Sequence, residues 1–206
     1  MEKIKMRLPG QTSIILASAS PRRRALLEQI GLSFTVFPSQ ADETIPAGMS
    51  PQLAVQTLSL LKAADVAKGQ TEDALVIAAD TVVVSDGEIL TKPQSEQDAV
   101  AMLSRLSGKR HSVLTGLTVL RRRDGKSVSL AEETFVYFKP LRQAEIVSYV
   151  KSGEPMDKAG AYGIQGLGAL LIEKIEGDYN NVVGLPLCRL GRLLQEEFDF
   201  ELIWEV

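Results

Sequence analysis

The sequence predicts a mixed α/β fold built on a long, partly antiparallel sheet with flanking helices, and three observations carry that expectation. Short apolar runs alternate with amphipathic stretches through the first half of the chain. A long hairpin signal surrounds Asp124-Gly125, and an amphipathic helix follows Pro186 near the end. At 206 residues, with 45% hydrophobic and 24% charged side chains, the chain is expected to fold as a single domain over 1–206 with a sizeable core.

Ser13 to Ser18 (SIILAS) reads as a short buried strand. Ser20 and Pro21 read as the N-cap and first residue of a helix, since proline loses nothing where the backbone N–H has no partner. Leu26, Leu27 and Ile30 form its apolar stripe, and Gly31 stops it. Phe34, Val36 and Pro38 make a second strand that leads into the polar loop SQADETIPAG. Residues 51 to 68 place Ala54, Leu58, Leu61 and Ala64 near helical spacing, which predicts a long helix ended by Gly69. Residues 74 to 84 (ALVIAADTVVV) are the strongest strand, with Ser85-Asp86-Gly87 turning it into a short return strand, Glu88 to Leu90.

Ser95 and Asp98 make a capping-box pattern that opens a helix through Leu106, with Ala99, Met102, Leu103 and Leu106 inward. Strands of about His111 to Arg121 and Ser127 to Phe138 flank Asp124-Gly125 and form an antiparallel hairpin. Leu141 to Lys151 is helical, Gly168 to Ile175 (GALLIEKI) reads as a strand, and Pro186 opens the last helix through Phe198.

Several function classes are excluded by composition. A net charge of −3 argues against wholesale nucleic-acid binding, while leaving room for a local basic pocket. The single Cys188 excludes an intramolecular disulfide and cysteine-based zinc sites, and it suits a reducing cytosol. Lys3, Lys5, Arg7 and Ala17-Ser18-Ala19 imitate a signal peptide, but the apolar run between them, Ile14 to Ala17, is too short. No stretch approaches the length of a membrane span, so a cytoplasmic protein without a membrane partner is expected. Gly108-Lys109-Arg110 lacks the remainder of a Walker loop, and Gly163, Gly166 and Gly168 have the wrong spacing for a dinucleotide fingerprint. With His111 alone, two-histidine metal sites are impossible, and a Ser-His-Asp triad would have to use a histidine whose neighbours alternate as in a strand.

The residues that carry chemistry begin with LASASPRRRALLEQIG, where Arg22, Arg23 and Arg24 occupy the first turn of the helix after Pro21. Cations there add to the positive end of the helix dipole, so the run is either a solvated face or a site that receives phosphate. Its place at a strand-to-helix junction favours phosphate. Asp80 interrupts an apolar strand, and burying a carboxylate costs several kcal/mol unless it is paired or binds a metal. It reads either as a strand-end residue in a structural hydrogen bond or, the sharper reading, as a strand-end carboxylate that holds a cation or a water.

Asp42 and Glu43, alone, fit solvated loop charge. Beside Asp80 they would form an oxygen-ligand site for Mg²⁺ or Mn²⁺. Lys62, mid-helix, and Lys92, in TKP, each fit an ordinary surface lysine. In DKAGAYGIQGLGALL, the glycines let backbone approach a ligand, Lys158 and Gln165 supply a charge and an amide, and Tyr162 and Ile164 are costly to leave wet, which favours a binding loop.

Taken in order, LASASPRR, ADE at 41 to 43, AADTVV, TKP, DKAGAYGIQG and GDYNNVVGLP resemble the Maf family, also called septum formation inhibitor proteins, over residues 13 to about 198. DKAGAYGIQG looks like the branch described as dTTP/UTP pyrophosphatases. The resemblance implies a two-lobed α/β fold similar to inosine triphosphate pyrophosphatases, with a cleft between lobes. It also implies divalent-cation-dependent hydrolysis of a nucleoside triphosphate, dTTP or UTP or a modified pyrimidine nucleotide, to the monophosphate and pyrophosphate.

By the same resemblance Asp80 matches the catalytic base, and Arg22, Thr81 and Gln165 match positions tied to substrate choice. Ser18, Arg23, Glu43, Lys62, Lys92 and Lys158 match residues that handle phosphate or metal, with Glu43 and Asp80 as the metal ligands. Thr91 departs from the pattern, where glycine is common before Lys-Pro. The expected reaction is attack of a water, deprotonated by Asp80, on the α-phosphorus. Two further readings stand beside it. One is a non-catalytic nucleotide-binding regulator of cell division, and the other a phosphatase that cuts at the γ-phosphate. A homodimer is left open.

Overall fold

The protein is described here by a computed structural model covering residues 12–46 and 48–201. The basic residues Lys3, Lys5 and Arg7 of the signal-like N-terminus, and Ala47 of the acidic loop, lie outside the described residues. Seven strands form one mixed sheet in the order β2-β1-β3-β5-β6-β7, with β4 paired to β3. These strands are β1 (Ser13–Leu16), β2 (Thr35–Val36), β3 (Ala74–Ser85), β4 (Glu88–Leu90), β5 (Arg110–Arg121), β6 (Ser127–Phe138) and β7 (Ile172–Glu176). The helices are α1 (Pro21–Gln29), α2 (Pro51–Lys68), α3 (Glu96–Leu106), α4 (Gln143–Lys151), α5 (Tyr179–Val183) and α6 (Leu187–Phe198). The chain divides into two compact units, Met1–Asp80 with Thr115–Glu132 and Gly184–Val206, and Thr81–Leu114 with Glu133–Val183.

In the first unit, β1 pairs in parallel with β2 and with the start of β3, where Ser13 to Leu16 face Ala74 to Ile77. Parallel strands are buried on both faces, which explains why both segments read as continuous apolar runs. Ile15, Ala17, Ala63, Val66, Ala74, Val76 and Ala78 form one core cluster. Small residues predominate there because α2 lies close on the sheet. Gly116 of β5 shows how close, since a Cβ at that position would sit 2.0 Å from the Val55 carbonyl oxygen of α2. Neither atom belongs to a flexible side chain, so Gly116→Ala must push the helix off the strand. A loss of about 1–3 kcal/mol is expected, the usual cost of overpacking a well-filled core, read as a lowered urea midpoint.

The long α2 corrects the expected helix face. Ala54 and Leu58 are buried, but so are Val55, Ser59, Lys62, Ala63, Val66 and Ala67, while Leu61 is exposed. The inward stripe is therefore rotated from the one that the leucines outline. Ser59 is accommodated by a hydroxyl ladder, with its Oγ 2.8 Å from Thr118 Oγ1, which in turn lies 2.7 Å from Ser129 Oγ.

In the second unit, β3 turns through Asp86 and Gly87, both at positive φ, and pairs antiparallel with β4. The 122–126 connection, which belongs to the first unit, is too short for a crossover, so β5 and β6 form the expected antiparallel hairpin, and in the second unit β6 pairs antiparallel with β7. Val83, Leu103, Leu106, Val113, Val136, Phe138, Ile146 and Tyr162 belong to the core cluster of this unit. Ser95 caps α3 by accepting from the Asp98 N–H, as its capping-box spacing predicts.

The expected strand from Gly168 is shorter than the apolar run implies. Gly166–Leu171 is a 3₁₀ helix, and β7 begins only at Ile172. Glycine is required within this turn, because a Cβ on Gly168 would lie 2.2 Å from the Gly163 carbonyl oxygen.

Candidate functional site

The site in the first unit is built from the ends and middles of three elements. After β1, Ser18 is buried, and its Oγ accepts from the Ser20 N–H at 3.2 Å and from Arg23 NH1 at 3.2 Å. Ser20 caps α1, as expected. The three arginines of that helix then diverge. Arg24 is exposed and pairs with Glu28 one turn on, a solvated i,i+4 bridge. Arg23 turns inward, with Nε donating to the Gly184 carbonyl at 2.8 Å. Burial lowers the pKa of its guanidinium, and the Asp80 and Glu43 charges oppose that shift while Arg22 adds to it. The run is thus neither a uniform solvated face nor a uniform phosphate grip. Arg24 belongs to the first description, while Arg23 is turned inward within reach of the Asp80 and Glu43 charges.

Asp80 occupies the middle of β3 and not a strand end, which corrects the sequence reading. It is 7% exposed, and its Oδ1 accepts from Lys62 Nζ at 2.6 Å. Lys62, 8% exposed, is likewise no surface lysine. The same ammonium lies 2.9 Å from Glu43 Oε1, whose side chain is 59% exposed. One buried cation therefore bridges a buried and an outward-facing carboxylate. The Glu43 loop is tethered from α2, where Asp65 accepts from Ser39 Oγ at 2.7 Å and from the Gln40 N–H at 2.8 Å. Those bonds hold the Asp65 carboxyl below its ordinary range. Asp42 is not beside Asp80. Its Oδ1 accepts from the Thr44 N–H at 3.0 Å and the Thr44 hydroxyl at 2.7 Å, so it closes a turn of its own loop.

Can these residues hold a divalent cation? Glu43 and Asp80 present oxygens around one position that already carries positive charge. Among the described residues no group of three or more His, Cys, Asp or Glu side chains gathers at one point. The protein thus offers two carboxylates, and phosphate oxygens and water must complete any shell. That donor set fits Mg²⁺ or Mn²⁺, which are commonly held through one or two carboxylates and substrate phosphates.

In the second unit, Thr81 follows Asp80 along β3 and is half-buried. Lys92 is exposed just after β4. The preceding Thr91 does not have a positive φ, and its carbonyl accepts from the Gly160 N–H at 3.1 Å. Lys158 is engaged in its own loop, with Nζ 2.6 Å from Asp157 Oδ1 and a further bond to the Glu154 carbonyl. Gln165 is exposed at the start of the 166–171 turn.

Tyr162 explains its apolar character without a ligand. It is buried, and its hydroxyl lies 2.7 Å from His111 Nε2. Both rings pack edge-on with Phe138, which places His111 in the core and not in a catalytic triad. Burial lowers the His111 pKa from 6.5 to about 4, against the raising effect of a backbone bond to Lys109. The folded protein therefore resists protonating it, so this contribution to stability is complete above about pH 6.5 and lost as pH falls toward 4. Urea midpoints measured from pH 7 to 4.5 should fall less steeply in His111→Gln than in the parent protein.

Sequence reasoning missed Gly184 as the anchor of Arg23 and Glu154 as an anchor of the Gln165 loop. Gly184 falls within GDYNNVVGLP, but nothing in that stretch marks its carbonyl as an acceptor. Among the described residues no helix is long and apolar enough to cross a membrane.

A family model described as "Maf-like protein" matches residues 13–197. A protein of Thermoanaerobacter named dTTP/UTP pyrophosphatase is 50% identical over 190 residues, covering 92% of this chain and 99% of that protein. One of Halalkalibacterium halodurans with the same name is 53% identical over 182 residues, covering 88% and 94%. Among solved structures, a nucleoside-triphosphatase/dITP/XTP pyrophosphatase of Mycobacterium abscessus aligns with a TM-score of 0.45 at 14% identity, over 90% of this chain and 97% of that one.

Proposed function

The chain belongs to the Maf family, and from that premise we propose that it hydrolyses dTTP and UTP to the nucleoside monophosphate and pyrophosphate. One observation carries the mechanism: a mid-strand carboxylate, Asp80, is held in a single orientation by a buried ammonium that also reaches Glu43. With Oδ1 fixed by Lys62, Oδ2 is the atom that orients a water and takes its proton. The water oxygen forms a bond to the α-phosphorus, the bond from that phosphorus to the bridging oxygen breaks, and pyrophosphate leaves with the electron pair. A divalent cation, when bound with Glu43 and Asp80 as ligands, supplies charge neutralisation on the phosphates and a more acidic water.

The remaining residues bind and orient. Arg22 and Arg23, behind Ser18 at the N-terminus of α1, receive phosphate, and the Gly184 carbonyl sets the direction of the Arg23 fork. Lys92 and Lys158 neutralise the departing pyrophosphate, Lys158 by exchanging Asp157 for a phosphate oxygen. Little covalent work falls to the protein, so positioning and electrostatics supply most of the rate. We assign base recognition to Gln165, whose amide offers both a donor and an acceptor to a pyrimidine edge, with Thr81 and Arg22 contributing to substrate choice. The protein acts in the cytoplasm under this reading.

The test is a panel of dTTP, UTP, CTP, GTP and ATP with Mg²⁺, with products separated chromatographically. Monophosphate and pyrophosphate from dTTP and UTP are expected, and Gln165→Ala should lower their advantage over GTP by about 10-fold, the scale of losing one good hydrogen-bonded contact. Unchanged proportions in Gln165→Ala would remove that residue from base recognition. Nucleotide binding with no turnover would point to the regulator.

A further inference from the structure

The loop that carries Gln165 is pinned by one carboxylate. Glu154 follows the left-handed Gly153 at the end of α4. Its Oε2 accepts from the Leu167 N–H at 3.0 Å, and its Oε1 accepts from the Gly168 N–H at 3.0 Å and from the Tyr149 hydroxyl at 2.9 Å. The Tyr149 oxygen itself accepts from the Gly163 N–H at 3.3 Å. Gln165 thus sits between two backbone segments, 163 and 167–168, that both lead back to the same carboxylate. The glycines make room for the arrangement. Gly166 lies at φ +67, and a Cβ there would come 2.7 Å from Glu154 Oε2. Lys158 lies against Gly163, where a Cβ would come 2.9 Å from its Cε, and donates to the Glu154 carbonyl.

A carboxylate turned inward under a loop costs stability unless it is satisfied, and here backbone N–H donors at the start of a 3₁₀ turn satisfy it. Burial pushes the Glu154 carboxyl up, but the two amides, the Tyr149 hydroxyl and Lys158 outweigh burial and hold it below its ordinary value. Burial also raises the Tyr149 pKa, which keeps that hydroxyl a donor at every working pH. An exposed turn rich in glycine would otherwise sample many backbone states, and a side-chain amide on it would have no fixed direction.

We propose that Glu154, with Tyr149 behind it, is a positioning residue for substrate selection: it fixes the 163–168 backbone so that the Gln165 amide faces a pyrimidine base in one orientation. It does not touch the reacting atoms. The inference rests on the assignment of base recognition to Gln165. Glu154→Gln keeps size and shape but sets an N–H₂ group against the Leu167 or Gly168 N–H, so one of the two anchors is lost.

The test joins two measurements on the full chain. Amide hydrogen exchange in Glu154→Gln should accelerate about 10-fold or more at Leu167 and Gly168, with the α4 amides unchanged. Steady-state kinetics on dTTP and GTP should show KM for dTTP rising about 5- to 10-fold, kcat within about 3-fold, and the dTTP-to-GTP ratio of kcat/KM falling by a similar factor. Tyr149→Phe should move both readouts in the same direction by less, and it serves as the second variant if Glu154→Gln folds poorly. Unchanged exchange at Leu167 and Gly168 overturns the proposal. Faster exchange with an unchanged substrate ratio also overturns it, provided that Gln165→Ala does shift the ratio. If Gln165→Ala leaves the ratio unmoved, base recognition by Gln165 falls first and this inference falls with it.

Discussion

Replacing Asp80 by Asn should lower kcat for dTTP by about 10²-fold or more while KM changes little, the scale expected on removing a positioned general base. The substitution keeps the volume of a residue that is 7% exposed in the middle of β3. What it removes is the basic oxygen and the negative charge. Asparagine can still accept from Lys62, so the amide will sit where the carboxylate sat, and the loss will report chemistry and not a displaced strand. Lys62 also keeps Glu43 at 2.9 Å as a counter-charge. Circular dichroism and thermal midpoint, measured beside the kinetics, separate the two causes. An Asp80→Asn enzyme with near-parental turnover would remove Asp80 from the mechanism.

Lys62→Met should be the most destabilising of these changes, by about 3–5 kcal/mol, the usual cost of removing one partner of a buried pair. Both side chains are about nine-tenths enclosed, at 10% and 11% exposure, so the orphaned Asp80 carboxylate would have little water to turn to. Methionine fills the space of the lysine stem, which confines the effect to charge. The sign of the pairing is checked by the double variant. Lys62→Met with Asp80→Asn should recover a large part of the loss, because the buried carboxylate that the ammonium compensated is then neutral as well. Glu43→Gln provides the contrast. Its side chain is 59% exposed, and a pair of that kind is worth at most about 1 kcal/mol, so stability should barely move. Urea unfolding of the four variants gives the comparison directly.

Much of this architecture was legible because local chemistry and tertiary structure agree. Ser20-Pro21 opened α1, the Ser95 and Asp98 pair opened α3, and Asp124-Gly125 marked the hairpin. Where sequence reasoning missed, a tertiary contact had overridden a local pattern. The leucines of α2 outlined the wrong stripe because Ser59 and Lys62 are drawn inward by Thr118 and Asp80, partners 59 and 18 residues away. Of the apolar run GALLI only Ile172 joins the strand, and Gly168 at its start is packed close on the Gly163 carbonyl, a contact five residues back that the apolar pattern does not show.

The candidate site divided in the same way. Asp80 and the arginine run announced themselves by being in the wrong company, a carboxylate in an apolar strand and cations at a positive helix end. Lys62, Glu43 and Lys92 had no such signal: Glu43 read as an ordinary loop charge unless set beside Asp80, the two lysines read as surface residues, and the family resemblance singled all three out. Asp42, as acidic as its neighbour, was claimed by Thr44, a competition that composition does not reveal. Glu154 left no trace in the sequence, since two of its partners are backbone amides and the third, the Tyr149 hydroxyl, lies on a helix that nothing in the sequence ties to this loop.

The central claim is that water attacks the α-phosphorus. Hydrolysis of dTTP in ¹⁸O-labelled water with Mg²⁺, followed by mass spectrometry of the products, tests it in one step. The account predicts one labelled oxygen in thymidine monophosphate and none in pyrophosphate. Label in pyrophosphate would place the attack on the β-phosphorus, and thymidine diphosphate with labelled orthophosphate would place it on the γ-phosphorus; either result would contradict the assignment of Asp80 to a water poised at the α-phosphorus.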